Sequence, residues 1–311
     1  MKRFLCRITI FIAIYLVCAV AIRAAWFSFF APLTCRIDYT PEQHIVLLGP
    51  SNGECAWNDM LTPSVKNLCA SATDMENVYY KSRYIFEHTQ FRPDTVILFV
   101  TPVTMIANHD KMGTNMSSSS AWLQREVRSN CYWHEFALHH FFDATYRHVL
   151  VKHLGRPWRT NPVGGGFLSL FRDKQEAEEC NLNWMENLNI LGGYDAMNEQ
   201  NLRKKCTTQV EYLYKLRDYL DSRGCQIVIM ATPLKEIQNT YCDRGFRDLL
   251  ASIFRPDTPV ADYTNLPMPD EYYADNVHLN YLGADYFTHY IIDHGIETEP
   301  LSQWQTETNC P

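Results

Sequence analysis

His44-Ile45-Val46-Leu47-Leu48-Gly49-Pro50-Ser51 is an apolar run that stops at a Gly-Pro pair. A continuous apolar stretch this short reads as a buried strand, and Gly49-Pro50 as the turn that ends it. Downstream, Asp74 to Glu87 places Met75, Val78, Tyr79, Ser82, Ile85 and Phe86 at helical spacing, with Asp74 as N-cap. Pro93-Asp94 then opens Thr95-Val-Ile-Leu-Phe-Val100, a second continuous apolar strand. The alternation returns near the C-terminus. From Asn198 to Arg223 one helical face carries Leu202, Cys206, Val210, Leu213, Leu216 and Leu220; Gly224 stops it and Gln226-Ile-Val-Ile-Met-Ala231 follows as a strand. Phe246 to Ile253 predicts a short helix, Thr258-Pro-Val-Ala261 a short strand, and Tyr281 to Ile292 a last helix capped by Asn280. Apolar strands alternating with amphipathic helices predict an α/β fold with a central parallel sheet covered on both faces. In such sheets function gathers at the carboxyl ends of the strands.

Composition narrows the class. The chain has 311 residues, 46% hydrophobic and 20% charged, enough apolar material for a large core, which excludes disorder, collagen-like repeats and coiled coil. Four of its 28 Lys+Arg (Lys2, Arg3, Arg7, Arg23) precede Cys35 in a stretch without acidic residues, which leaves 24 basic against 35 acidic residues in the body. An acidic body whose longest basic run is Arg203-Lys-Lys205 is no nucleic-acid binder, because neutralising phosphates takes clustered positive charge.

The N-terminus carries a location signal. Lys2, Arg3 and Arg7 precede the apolar run Ile8 to Ile22, which breaks at Arg23 and resumes through Trp26, Phe27, Phe29 and Phe30 to Leu33. Read as one segment, residues 1–34 are expected to be a membrane anchor with the N-terminus in the cytoplasm and the aromatic residues as an interfacial belt. Residues 35–311 would then form an extracytoplasmic domain, periplasmic or at the cell surface. Two rival readings stand beside it: a cleaved signal, since Ala19-Val20-Ala21 has the small-x-small pattern, and a buried N-terminal helix of a cytosolic protein. Of the eleven Cys, nine lie in the body, an odd number without a CxxC pair. A disulfide such as Cys180 with Cys206 is open, while a small buried apolar residue is the simpler reading of any one Cys.

Residues from about 108 to 197 interrupt the strand and helix alternation with Ser117-Ser-Ser-Ser120, the His-rich aromatic run Cys131 to Leu154, and Gly164-Gly-Gly166. This is too long for an ordinary loop and is expected to be a helical insertion or lid. Its tempting motifs are weak. His134 and His139 stand five apart and do not share a helical face as zinc ligands would, so no metal is expected. Gly164-Gly-Gly166 lacks the Lys-Ser/Thr of a phosphate loop. The remaining histidines of the run, His140, His148 and His153, read as lid-surface or polar-core residues, and the aromatics as a packed helix face.

Two short segments carry chemistry. Ser51 directly follows the first strand, and Asp275-Asn276-Val277-His278 lies just ahead of the last helix. An aspartate that orients an imidazole, and an imidazole that takes a serine proton, make an activated nucleophile. Separately, a Ser after a strand is usually a turn or cap residue and Asp-x-x-His a surface capping pair; their order and the strand that presents Ser51 favour the joint reading.

With Gly49-Pro50-Ser51 near one end and Asp275-Asn276-Val277-His278 near the other, the chain resembles the SGNH (GDSL-like) hydrolase and acyltransferase superfamily over about residues 44–290. The resemblance implies a flavodoxin-like three-layer sandwich, with Ser51 as nucleophile, His278 as general base and Asp275 as the orienting carboxylate. It further implies a serine esterase or O-acyltransferase, most simply of acetyl groups, acting on a cell-surface carbohydrate or other acyl ester. No organic cofactor is required, and a transferase would draw on a donor delivered by an integral membrane acyltransferase. The chain departs from the family at three points. Pro50 replaces an Asp, no Gly occurs in Asn67-Leu-Cys-Ala-Ser-Ala72 where a second block supplies a backbone amide, and Phe99-Val-Thr-Pro-Val-Thr104 lacks the third block's Gly-x-Asn-Asp. The oxyanion candidates are therefore the Ser51 amide together with Asn52, Asn67, Thr101 and Thr104. Those departures also motivate the alternative expectation, a non-catalytic binding or assembly protein for surface polysaccharide.

Overall fold

The computed structural model describes residues 2–25, 37–70, 73–100, 206–235, 244–275 and 277–306, with Met105, Tyr132, Phe167, Gln200 and Arg203 between them. After an N-terminal helix α1 (Lys2–Ala25), the chain runs β1 (Ile45–Leu48), α2 (Ser51–Ala56), β2 (Val65–Asn67), α3 (Met75–His88) and β3 (Thr95–Phe99). It continues through α4 (Thr207–Ser222), β4 (Gln226–Ala231), α5 (Arg244–Ile253), β5 (Pro259–Asp262), α6 (Tyr281–His294), β6 (Glu299–Pro300) and α7 (Leu301–Thr306). The six strands form one sheet in the order β2-β1-β3-β4-β5-β6. Each neighbouring pair from β2 to β5 is parallel, and β6 runs antiparallel to β5. The sheet is thus mixed and mostly parallel, where a central parallel sheet was expected, with β6 as the antiparallel addition. Glu299–Pro300 supplies only two residues, one without an N–H, and such a piece is tolerated at an edge.

Strand alternation divides the core into two layers. Val46, Leu48, Val96, Leu98, Ile227 and Ile229 pack against α3, α4, α5 and α7, where Ile85, Leu213, Leu249 and Trp304 lie. Leu47, Ile97, Phe99, Val228 and Met230 face the other way, onto Trp57 after α2 and onto Phe287 and Ile291 of α6. Helices on both faces make this an α/β three-layer sandwich. Val46, Leu47, Ile97, Leu98 and Phe99 are wholly removed from solvent. Each such side chain contributes about 1.5–3 kcal/mol of transfer free energy.

Several local expectations hold in detail. Asp74 caps α3 by accepting from Asn77 N at 2.8 Å. Asn280 caps α6 by accepting from Leu282 N and Gly283 N at 3.0 and 3.1 Å, and Gly224 follows α4 with φ +71°. Cys206 is buried, with Sγ donating to Met105 O at 3.5 Å, while Cys180, its suggested disulfide partner, lies outside the described residues. The expected insertion at about 108–197 lies, apart from Tyr132 and Phe167, outside the described residues.

The N-terminal expectation is corrected. Among the described residues no helix is long and apolar enough to cross a membrane. This overturns the membrane anchor at 1–34, the membrane as partner with the integral membrane acyltransferase tied to it, and the membrane-anchored topology. The reason is length. The uninterrupted apolar run between Arg7 and Arg23 spans roughly 22 Å as a helix, short of the roughly 30 Å hydrocarbon core. The residues expected to extend it, from Trp26 onward, lie outside the described residues.

Candidate active site

The turn after β1 is shaped by crowding from β3. Gly49 has φ +150°, and a Cβ there would come within 2.7 Å of Phe99 Cβ, so this position takes glycine. At Gly53, in the first turn of α2, a Cβ would come within 2.4 Å of the Phe99 ring and 2.7 Å of Cys69 Sγ, and a side chain would push α2 off the sheet. With Pro50 at the N-cap, Ser51 becomes the first residue of α2, at the carboxyl end of β1.

The Asp275–His278 segment is the tip of a small hairpin. Tyr273 bridges Leu279, Ala274 N donates to His278 O at 2.9 Å, and Asn280 N donates to Tyr272 O at 3.0 Å. Asn280, besides capping α6, sends Nδ2 to Glu271 O at 2.6 Å. Gly283 then lets the Tyr272 carbonyl sit directly on the first turn of α6, where any Cβ would strike it. The hairpin is therefore locked to the helix that follows it.

These two pieces, 227 residues apart in sequence, meet: Ser51 Oγ lies 2.7 Å from His278 Nε2. His278 Nδ1 lies 2.8 Å from Asp275 Oδ2 and 3.0 Å from Oδ1. Asp275 Oδ1 also accepts the backbone amides of Val277 at 2.9 Å and His278 at 2.8 Å. A carboxylate facing Nδ1 requires that nitrogen to donate, which leaves Nε2 to accept from the serine hydroxyl. Burial alone would raise the Asp275 carboxyl pKa, but the hydrogen bond and charge of His278, with the two amides, hold it below the usual carboxylate value. It is therefore a buried anion fixed by three donors. Asn52, itself buried, joins the two pieces through Nδ2 to Val277 O at 2.9 Å.

No family model and no curated protein matches the chain. The site is therefore read from its own geometry.

The oxyanion candidates divide. The amides of Ser51 and Asn52 head α2, where a helix leaves its first N–H groups without an intrahelical acceptor. Asn67 is wholly buried and both its N–H donors are engaged, to Gly53 O at 3.1 Å and Trp57 O at 2.9 Å, while its Oδ1 accepts from Cys69 N. It braces α2 and has no donor left for a substrate. Thr101 and Thr104 lie outside the described residues. Among the described residues no group of three or more His, Cys, Asp or Glu side chains could hold a metal ion. A surface cavity of about 400 Å³ opens at the opposite, amino-terminal ends of β4 and β5, but Arg255 and Asp221 on its rim pair with each other at 2.7 Å.

Sequence reading missed Lys81. This side chain is 1% exposed and donates from Nζ to Leu68 O at 2.8 Å. A lysine within a helical run reads as part of the solvated face; only its place between Val78 and Ile85, both on the buried stripe, hinted otherwise.

Proposed function

We propose that the protein is a serine ester hydrolase or O-acyltransferase of the SGNH type, with Ser51 as nucleophile, His278 as general base and Asp275 as the carboxylate that orients the imidazole. The observation that carries this reading is the continuous relay of 2.7 Å from Ser51 to His278 and 2.8 Å from His278 to Asp275. The sheet order β2-β1-β3-β4-β5 is that of flavodoxin-like sheets and supports the same family, as does the location of the relay at the carboxyl ends of the strands.

In the reaction Ser51 Oγ attacks the ester carbonyl as its proton passes to His278 Nε2, and the imidazolium is held by the Asp275 carboxylate. The negative charge that develops on the carbonyl oxygen is met by the leading amides of α2. Collapse expels the alcohol, which takes the proton from His278 and leaves an acyl-Ser51. Water or a sugar hydroxyl, deprotonated by His278, then attacks the acyl carbon and restores the serine. The substrate class is an acyl ester, with acetylated carbohydrate as the form the resemblance favours.

A fluorophosphonate probe tests this directly on the folded protein. A single adduct mapped to Ser51 by mass spectrometry, absent in Ser51→Ala and in His278→Ala, is the expected result. Folded wild type that remains unlabelled overturns the reading. It would favour a non-catalytic glycan-binding role instead, for which the engagement of Asn67 in bracing α2 is the specific supporting observation.

A further inference from the structure

We propose that Lys81 is a positioning residue for the nucleophile, whose buried ammonium holds the segment bonded to the Gly49–Ser51 turn and whose deprotonation loosens it. This inference rests on Ser51 being the nucleophile. On one side Lys81 Nζ donates to Leu68 O at 2.8 Å. The stretch it holds is bonded straight to the turn: Leu68 N donates to Leu47 O at 3.0 Å and Ala70 N to Gly49 O at 3.1 Å. Between them, Cys69 Sγ lies against Gly53 of α2, two residues beyond Ser51. On the other side Glu54, in the first turn of α2, acts on the same ammonium and favours its charged form.

A lysine this deeply buried is costly, and a neutral side chain would fill the same space. Its charge therefore calls for a role. The groups that act on it are Glu54 from α2 and Cys69 from the end of β2, both favouring the ammonium; Cys69 is in turn influenced by Cys55 and Asp59. Burial outweighs them and lowers the Lys81 pKa to about 8, whereas burial pushes the Cys69 thiol well up. Lys81 is thus the member of this cluster that changes charge just above neutrality. When it does, a charge-assisted bond to Leu68 O becomes a neutral one and the attraction for Glu54 disappears.

The test is the rate of fluorophosphonate labelling at Ser51 between pH 6 and 10 for wild type, Lys81→Met and Lys81→Arg, with folding checked by circular dichroism at each pH. Wild type is expected to lose rate by about fivefold through a single ionisation near pH 8. Lys81→Met is expected to be slow at every pH without that alkaline limb, and Lys81→Arg fast without it, because arginine keeps its charge. A purely structural lysine would leave the shape of the profile unchanged in the variants, and that result overturns the inference. So does a wild-type profile that is flat above pH 7, which decides the matter even if neither variant folds. Wild type that is folded yet unlabelled at every pH overturns the Ser51 reading and this inference with it; labelling without an alkaline limb overturns this inference alone.

Discussion

The Tyr272–Asn280 hairpin and the Asn67–Ala70 stretch at the end of β2 both border the nucleophile turn, and they are built in opposite ways. In the hairpin the backbone serves the side chains: the amides of Val277 and His278 and the cap at Asn280 hold Asp275 and His278 in line with Ser51. At the end of β2 the side chains serve the backbone: Asn67 closes onto Gly53 O and Trp57 O, and Lys81 reaches in to Leu68 O. One region presents reactive groups and the other fixes where they stand. The comparison teaches that one segment beside Ser51 can be built to present side chains while the segment next to it is built as a brace.

The largest effect that would break this contrast is expected at Asp275. In Asp275→Asn the amides of Val277 and His278 keep Oδ1 as their acceptor, so the new amide nitrogen is turned toward His278 Nδ1. Nδ1 must then accept, the ring proton moves to Nε2, and the serine loses its base. Labelling at Ser51 should fall by about 10³-fold or more with the fold intact. A variant that labels at the wild-type rate would show the hairpin to be scaffolding like its counterpart.

Asn67→Ala should do the reverse. It removes two donors and one acceptor from a site without solvent, leaving Gly53 O, Trp57 O and Cys69 N unmatched. A loss of roughly 4 kcal/mol in unfolding free energy is expected, from denaturant titration, at about 1–3 kcal/mol for each orphaned group. Labelling of the fraction still folded should change far less than in Asp275→Asn.

How much of this was readable from residues follows the same division. The meeting of Ser51, Asp275 and His278 was legible because the proposed relay needs those side chains in that order, and β1, β3 and β4 because Ile45–Leu48, Thr95–Phe99 and Gln226–Ala231 are apolar throughout or nearly so. β2 was not legible: Val65-Lys66-Asn67 has no apolar run, and it is held in the sheet by pairing with β1. β6, two residues long with a proline, gave no strand signal either. Asn67 was legible as polar but not as engaged, since backbone carbonyls that claim a side chain leave no mark in the sequence. Summing apolar residues across Arg23 produced an anchor, whereas no described helix is long and apolar enough to cross a membrane.

The two regions should also differ in pH dependence. Asp275 is held below its ordinary pKa, so the stability it contributes is present above the unfolded value and is lost as pH falls through the folded one. Lys81 has the opposite sense. Its folded pKa of about 8 lies below the ordinary 10.5, so between those values the unfolded chain binds a proton that the folded chain does not. Stability should therefore rise by about 3 kcal/mol as pH goes from 8 to 10.5, and be insensitive to this group below 8. Denaturant midpoints across that range, with Lys81→Met flat where wild type climbs, check the sign. The positioning role assigned to Lys81 and its cost to stability are the same burial seen from two sides.

Asn52 offers the smallest and sharpest test, because beside the Ser51–His278 contact it ties α2 to the hairpin through Nδ2 to Val277 O at 2.9 Å. Its removal leaves Asn67 bracing α2, Lys81 holding Leu68 O, and the Asp275–His278 pair intact. What loosens is the register between serine and imidazole, on which proton transfer depends steeply. Asn52→Ala is expected to lose about 1 kcal/mol of stability, one net hydrogen bond, and to label at Ser51 about fivefold more slowly. A stability loss of that size with unchanged labelling would mean that the hairpin finds its register through α6 packing and Asn280 alone. A larger loss of labelling than of stability would locate the coupling between the two regions at this single amide.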